Sequence, residues 1–314
     1  MVLFGRTVLL ISVIGLLAVS CNVVHVLERK AIRKLNRVNA EDHLFHTPGG
    51  DRFVRATNSG KPKLVLVHGI GGSSTMWAGN AHDLSDHFDL VLPDLIGHGR
   101  STKTWSGFSV DAQVEHLRLL LDSLGIQEPV DMVGCSYGGG IVANFAEQHP
   151  DRIKTLVIYD GPASDYTSSM ADSIARATGA TDIIDLFTPD NADELKRIIT
   201  LAWYKKLKIP HFALRQMNNA SKLVRGPWLD LLKDLRAHGD EFTTKVYNWP
   251  MPVYLIWGEE DKLIPLSVGK AIAARNRLPP DHFIVIPEAG HTANIEQPDL
   301  FEQRLLEVLS NGDR

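Results

Sequence analysis

Apolar positions along this chain fall into two rhythms. Short unbroken runs read as strands buried on both faces: residues 63–67 (KLVLV), 90–92, 129–133, 155–159, 252–258 and 282–286. Between them the spacing changes to threes and fours. Ser109 precedes Val110, Val114, Leu117, Leu121 and Leu124, and Gly125 closes that pattern, so a capped helix is predicted there. Residues 139–149 place Ile141, Val142, Phe145 and Ala146 on one helical face. Further helices are predicted over 267–276 and after Gln297. Alternating strands and helices predict an α/β fold, with a mostly parallel sheet covered on both faces.

Residues 161–248 interrupt the alternation. They read as mainly helical, with segments near 193–204 and 210–224. The expected organisation is a core of 39–160 and 249–314, with 161–248 inserted after the sixth strand as a helical cap. Residues 1–38 stand apart as an N-terminal segment.

That segment contains 21 uncharged, largely apolar positions, 7–27. As a helix they would span roughly 30 Å, about one hydrocarbon core. Two membrane readings follow. One is an uncleaved single-pass anchor. The other is a bacterial lipoprotein signal, with Arg6 as the charged start and Cys21 as the lipidated residue. Arg29, Lys30, Arg33, Lys34 and Arg37 follow the apolar run, in a continuation that reads as helical rather than as a flexible tether. This favours the anchor, with the C-terminal side on the cytoplasmic face under the positive-inside rule. Either reading holds the chain at a membrane surface.

Composition narrows the picture. The chain has 314 residues, 44% of them hydrophobic, enough for a large core. Its net charge is −4, which gives no reason to expect nucleic acid as a partner. The two cysteines, Cys21 and Cys135, do not suggest a structural disulfide, and no Cys/His cluster has zinc-site spacing. Charge is uneven, however. From Lys196 to Arg225 there are eight basic residues and no acidic one: Lys196, Arg197, Lys205, Lys206, Lys208, Arg215, Lys222 and Arg225. A solvated face explains them adequately; contact with anionic lipid headgroups is the sharper reading.

The candidate chemistry lies at Gly134-Cys135-Ser136-Tyr137-Gly138, between a predicted strand and a predicted helix. A serine on so tight a turn projects its hydroxyl near the helix N-terminus. It still needs a base and a group to orient that base. His291, just past the last strand, supplies the first, and Asp261, past the 252–258 strand, supplies the second. Asp160, at the end of the sixth strand, is a rival acid. The backbone amides of Tyr137 and Ile70 are the candidate oxyanion donors. His68, Asp94, His98, Ser101, Trp77 and Cys135 read as structural, and the Asn219 sequon is discounted.

Taken together, the motifs resemble the α/β-hydrolase family from about Leu44 to Leu309. They are His68-Gly69 with its following glycines, Pro93-Asp94-x-x-Gly97-His98-Gly99-x-Ser101, Gly134-x-Ser136-x-Gly138, Trp257-Gly258-x-x-Asp261 and Gly290-His291. The segment from Thr188 to Leu195, with Tyr204 and Lys208-Ile209-Pro210, also resembles the cap of membrane-anchored monoacylglycerol lipases and of Moraxella-type lipases. The resemblance implies hydrolysis of a lipid-like acyl ester through an acyl-enzyme, with no metal or organic cofactor. Of the cap's apolar residues, Ile183, Ile184, Leu186, Phe187, Ile198, Ile199, Trp203, Phe212, Met217 and Trp228, many must pack against the core, and as a group they can line an apolar tunnel over Ser136. The same triad serves carbon–carbon bond hydrolases of ring-cleavage products and cofactor-free peroxidases. A non-catalytic receptor on this fold is a third reading. The motifs leave acyl length, headgroup and oligomeric state open.

Overall fold

The computed structural model describes residues 22–103 and 107–311. Eight strands form one sheet: β1 (Glu41–Phe45), β2 (Arg52–Ala56), β3 (Lys63–Val67), β4 (Asp89–Pro93), β5 (Val130–Cys135), β6 (Ile153–Tyr159), β7 (Val253–Gly258) and β8 (Phe283–Ile286). Their order is β1-β2-β4-β3-β5-β6-β7-β8. β1 and β2 pair antiparallel, as do β2 and β4, and the remaining pairs are parallel.

The unbroken apolar runs have a direct cause. Side chains alternate across a strand, and both sides of this sheet are covered. Val65 and Val67 enter one core, together with Leu255 and Trp257. Their neighbours Leu64 and Leu66, with Tyr254 and Ile256, enter the other. The first core is closed by α3 (Val110–Ser123), α4 (Tyr137–Gln148) and α10 (Leu266–Arg275). The second is closed by α1 (Val23–Arg37), α2 (Ala81–Ser85), the 3₁₀ turn Ser74–Gly79 and α12 (Pro298–Asn311). Ser109 Oγ accepts from the Ala112 N–H, the cap expected for α3.

Strands β1 and β2 escape the pattern of apolar runs. Charged residues mask their period: Arg55 is buried yet faces Asp42 across the hairpin, in a 2.9 Å ion pair.

Between β6 and β7 stand five helices: α5 (Ser168–Ala177), α6 (Ile183–Phe187), α7 (Ala192–Ala202), α8 (His211–Leu223) and α9 (Arg225–His238). They extend beyond the two segments expected from periodicity alone.

The N-terminal expectation needs correction at its end. Residues 7–21, with Cys21, lie outside the described residues. Residues 23–27, expected as the close of the apolar span, instead form the first turns of α1. Asn22 caps that helix through the Val24 N–H at 3.0 Å. Leu35 is fully buried against the core, and the Val23 N–H donates to Gln216 Oε1 of α8 at 2.7 Å. Among the described residues, no helix is long and apolar enough to cross a membrane.

Candidate active site

Ser136 sits between β5 and α4 with φ 54° and ψ −125°, a conformation costly for any residue but glycine. Two close approaches hold it there. A side chain at Gly134 would strike the Gly138 carbonyl, and one at Gly138 would strike the carbonyls of His68 and Val67. The Ser136 N–H donates to the Tyr159 carbonyl at 2.9 Å. Its hydroxyl makes no capping bond to α4 and is left available for chemistry.

His291 and Asp261, the candidate base and its candidate orienting acid, lie side by side. His291 Nδ1 lies 2.7 Å from Asp261 Oδ2. Asp261 Oδ1 accepts from the N–H groups of Leu263 and Ile264 at 2.8 and 2.9 Å, which fixes the carboxylate plane. All three side chains are buried. Tyr159 links the serine turn to the histidine loop, because its hydroxyl donates to the His291 carbonyl at 3.3 Å. Among the described residues no hydrogen bond joins Ser136 Oγ to His291. In free enzymes this contact is commonly long and tightens when substrate binds.

Gly69 places the second loop against the serine. A methyl group there would lie 3.0 Å from Ser136 Cβ and 3.5 Å from its Oγ. Among the described residues, the Ile70 and Tyr137 amides donate to no backbone carbonyl of a turn or loop. Both therefore suit the oxyanion role.

The residues read as structural are engaged elsewhere. His68 Nε2 accepts from the Leu95 N–H, and its Nδ1 faces the Gly69 carbonyl. Asp94 Oδ2 accepts from the Arg100 N–H at 2.7 Å, and Ser101 Oγ donates to the Asp94 carbonyl at 2.6 Å. Trp77 is fully buried against Tyr159 and Phe301. Cys135 is buried, and burial pushes its thiol well above the usual range.

A cavity of about 1030 Å³, counted to its open mouth, lies over Ser136. Its walls include Ile141 of α4, Ala171 of α5, and Leu232 and Leu235 of α9. Of the ten cap residues expected to line a tunnel, Ile183 and Phe187 do so. Leu186 packs into the core instead, Phe212 is half exposed, and Trp228 covers Gly71 beside the oxyanion loop.

One residue of the site was missed in the sequence. Glu296, on the short helix α11 (Ala293–Glu296), is buried. Its Oε1 accepts from the Gly290 N–H and the Thr292 hydroxyl, on either side of His291. Its Oε2 accepts from the N–H groups of Tyr204 and Lys205, just past α7. Glutamates are mostly exposed, and nothing in local spacing marks this one as a bridge.

The family model described as alpha/beta hydrolase fold matches residues 62–298. The chain belongs to the α/β hydrolase fold family, as the motifs implied. It is 25% identical over 269 residues to a monoacylglycerol lipase, abhd6-B of Xenopus laevis, covering 82% of this chain and 78% of the relative. It is 26% identical over 257 residues to lipase 3 of Moraxella sp. strain TA144, covering 79% and 78%. It is also 29% identical over 264 residues to a 2-hydroxy-6-oxononadienedioate/2-hydroxy-6-oxononatrienedioate hydrolase of Paraburkholderia phymatum, covering 81% and 88%. Among solved structures, a membrane phospholipase A described as a bacterial virulence factor superposes with a TM-score of 0.78 at 19% identity, covering 98% and 99%. At that identity the superposition speaks for the fold alone.

Proposed function

We propose that this chain is a serine hydrolase of lipid-like acyl esters, of the monoacylglycerol lipase or carboxylesterase kind. The observation that carries the reading is Ser136 on its strained turn, in the wall of an apolar cavity, with the paired His291 and Asp261 on loops tied to that turn through Tyr159. Ser136 attacks the ester carbonyl as His291 takes its proton. The Ile70 and Tyr137 amides stabilise the oxyanion, at about 3 kcal/mol per donor. The alcohol leaves with the proton from His291. Water activated by His291 then releases the fatty acid from the acyl-enzyme. Asp261 holds the imidazole in its working tautomer throughout.

The carbon–carbon hydrolase reading has the Paraburkholderia relative in its favour. The cavity speaks against it. A dioate substrate presents two carboxylates, and a site for it calls for free cations. Among the described residues, Arg236 is the one cationic residue of the lining, and Asp172 and Asp182 hold it at 2.8 and 3.0 Å.

The reading extends to a membrane surface. Lys205, Lys206, Lys208, Arg215 and Lys222 are exposed, as are the basic residues of α1, which lies beside α8. Arg225 is excluded from this set because it pairs with Asp190. Replacing Lys205, Lys206, Lys208 and Lys222 by glutamine, in protein lacking residues 1–21, is expected to weaken binding to anionic vesicles. Unchanged binding would sink the membrane contact without touching the esterase reading.

The decisive experiment is fatty-acid release from p-nitrophenyl butyrate, monooleoylglycerol and triolein, with Ser136→Ala as control. Fast turnover of the monoacylglycerol, absent in the variant, supports the proposal. Turnover of the short ester alone would remove the lipid substrate and keep the serine mechanism.

A further inference from the structure

Asp160, at the end of β6, is not used by the triad. It is fully buried, with φ 44°, a left-handed backbone that non-glycine residues rarely adopt. Its Oδ1 accepts from the Gly258 N–H at 2.8 Å. Its Oδ2 is buried without a hydrogen-bond partner. An orphaned carboxyl oxygen in a core costs stability, so its presence calls for an explanation. The surroundings offer one. A carboxylate oxygen from Asp160, another from Asp261 and a ring nitrogen of His291 all lie within 4.8 Å of one another.

Topology produces this cluster. β6 and β7 are parallel neighbours, with Tyr159 paired to Ile256. Adjacent strands run about 4.8 Å apart. Acids placed just past the ends of both strands therefore reach the same imidazole.

We propose that Asp160 is a second positioning acid for His291, standing behind Asp261 and able to replace it as the imidazole's counter-charge. The proposal rests on the triad reading above.

Charge explains why two acids can share the place. The groups facing Asp160 are Asp261 beyond β7, Glu296 on α11, Cys135 at the end of β5, Tyr159 on its own strand, and His291. Burial first, and the Asp261 charge second, hold the Asp160 carboxyl well above its ordinary range, against the pull of the Gly258 N–H. Two carboxylates this close do not both ionise readily. Asp160 is thus the acid that favours its protonated form, with Asp261 hydrogen-bonded to His291 in front of it. Neutralise Asp261, and the share of that shift due to its charge is gone, while burial still holds the Asp160 carboxyl high. Catalysis then requires Asp160 to lose its proton to solvent while His291 remains neutral, which happens more readily as pH rises.

The test is a double-mutant cycle of Asp160→Asn and Asp261→Asn, read as kcat/KM for p-nitrophenyl butyrate across the pH range. Asp160→Asn is expected to cost at least about tenfold more in the Asp261→Asn background than in the wild type. The acid limb of the Asp261→Asn profile is expected to move up by about one pH unit or more, and to move back down in the double variant, where only His291 must be free of its extra proton. An equal factor in both backgrounds would overturn the proposal. So would an unshifted limb in Asp261→Asn, a measurement that keeps Asp160 in place and stands even if Asp160→Asn does not fold. Failure of the triad reading looks different: full activity in Ser136→Ala would remove the serine mechanism itself.

Discussion

Glu296 Oε2 accepts the Tyr204 N–H at 2.9 Å, joining the loop that carries the base to the helical insertion over the site. Gly290 makes the joint close: a side chain there would press on the Ala202 carbonyl and the Tyr204 nitrogen. Only a carboxylate can accept on both sides at once, from Gly290 and Thr292 and from Tyr204 and Lys205. Glu296→Gln must leave one side unpaired, at about 1–3 kcal/mol for buried donors. The expected result is a lower melting temperature and a kcat reduced by about tenfold or more, as His291 loses its fixed position. Unchanged kcat in a folded variant would reduce Glu296 to a purely structural tie.

Gly69→Ala tests the candidate oxyanion loop without replacing any proposed catalytic side chain. The new methyl would sit 3.0 Å from Ser136 Cβ, so the loop or the serine must give way by a few tenths of an ångström. Displacing the Ile70 amide by that much weakens one oxyanion donor. We expect kcat to fall by about 10²-fold, with KM nearly unchanged, because the donor acts mainly in the transition state. Equal change in KM and none in kcat would place Ile70 in substrate binding instead.

Much of this architecture was legible in the sequence. The apolar runs marked β3 to β7 because both faces of those strands are buried, and a buried strand leaves a continuous signal; β8, at the sheet edge, carries an apolar run although it is only partly buried. The Ser136 turn and the order Ser136, Asp261, His291 pointed to the candidate site, since each residue follows a strand end. What was hidden depends on distant partners. β2 was masked by the buried Arg52 and Arg55, and β1 by its largely exposed, charged start at Glu41 and Asp42. Glu296 bridges segments about ninety residues apart, as its bond to Tyr204 illustrates. Which apolar cap residues line the cavity and which pack into the core was not legible, because apolar character marks burial, not which cavity a side chain faces. Thus Trp228 covers Gly71, and Ala171 and Leu232, unremarkable in sequence, form the wall.

Ala171 gives a direct probe of that wall. It is buried on α5 and lines the cavity over Ser136. Ala171→Phe adds a ring where acyl chain is expected to lie. If the cavity holds the acyl group, the variant retains turnover of p-nitrophenyl butyrate and loses turnover of monooleoylglycerol by about tenfold or more, since each excluded methylene forfeits about 0.8 kcal/mol. Equal losses on both esters would mean that the chain runs elsewhere.

Three buried histidines make the fold sensitive to acid. Burial, the largest effect on each, lowers His68 to about 4, His98 to about 3 and His116 to about 4. For His68 the Gly69 carbonyl opposes the shift, and for His98 the nearby His68 adds to it. In the unfolded chain each returns to about 6.5. Between those values the unfolded state binds more protons, so the stability these groups contribute is complete above pH 6.5 and is lost as pH falls toward 4. Glu302, raised to about 7 by burial, works in the opposite direction as the carboxyl stays protonated in the fold. A difference measurement separates the two. His116 Nδ1 is buried without a partner, and its Nε2 lies 3.0 Å from the Asp94 carbonyl, a bond that glutamine can also donate. Denaturant unfolding of wild type and His116→Gln between pH 7 and 4 is expected to give a shallower decline in the variant, by about 3 kcal/mol over the range. Parallel declines would mean that His116 titrates normally in the fold, and the acid sensitivity would have to be sought in other groups.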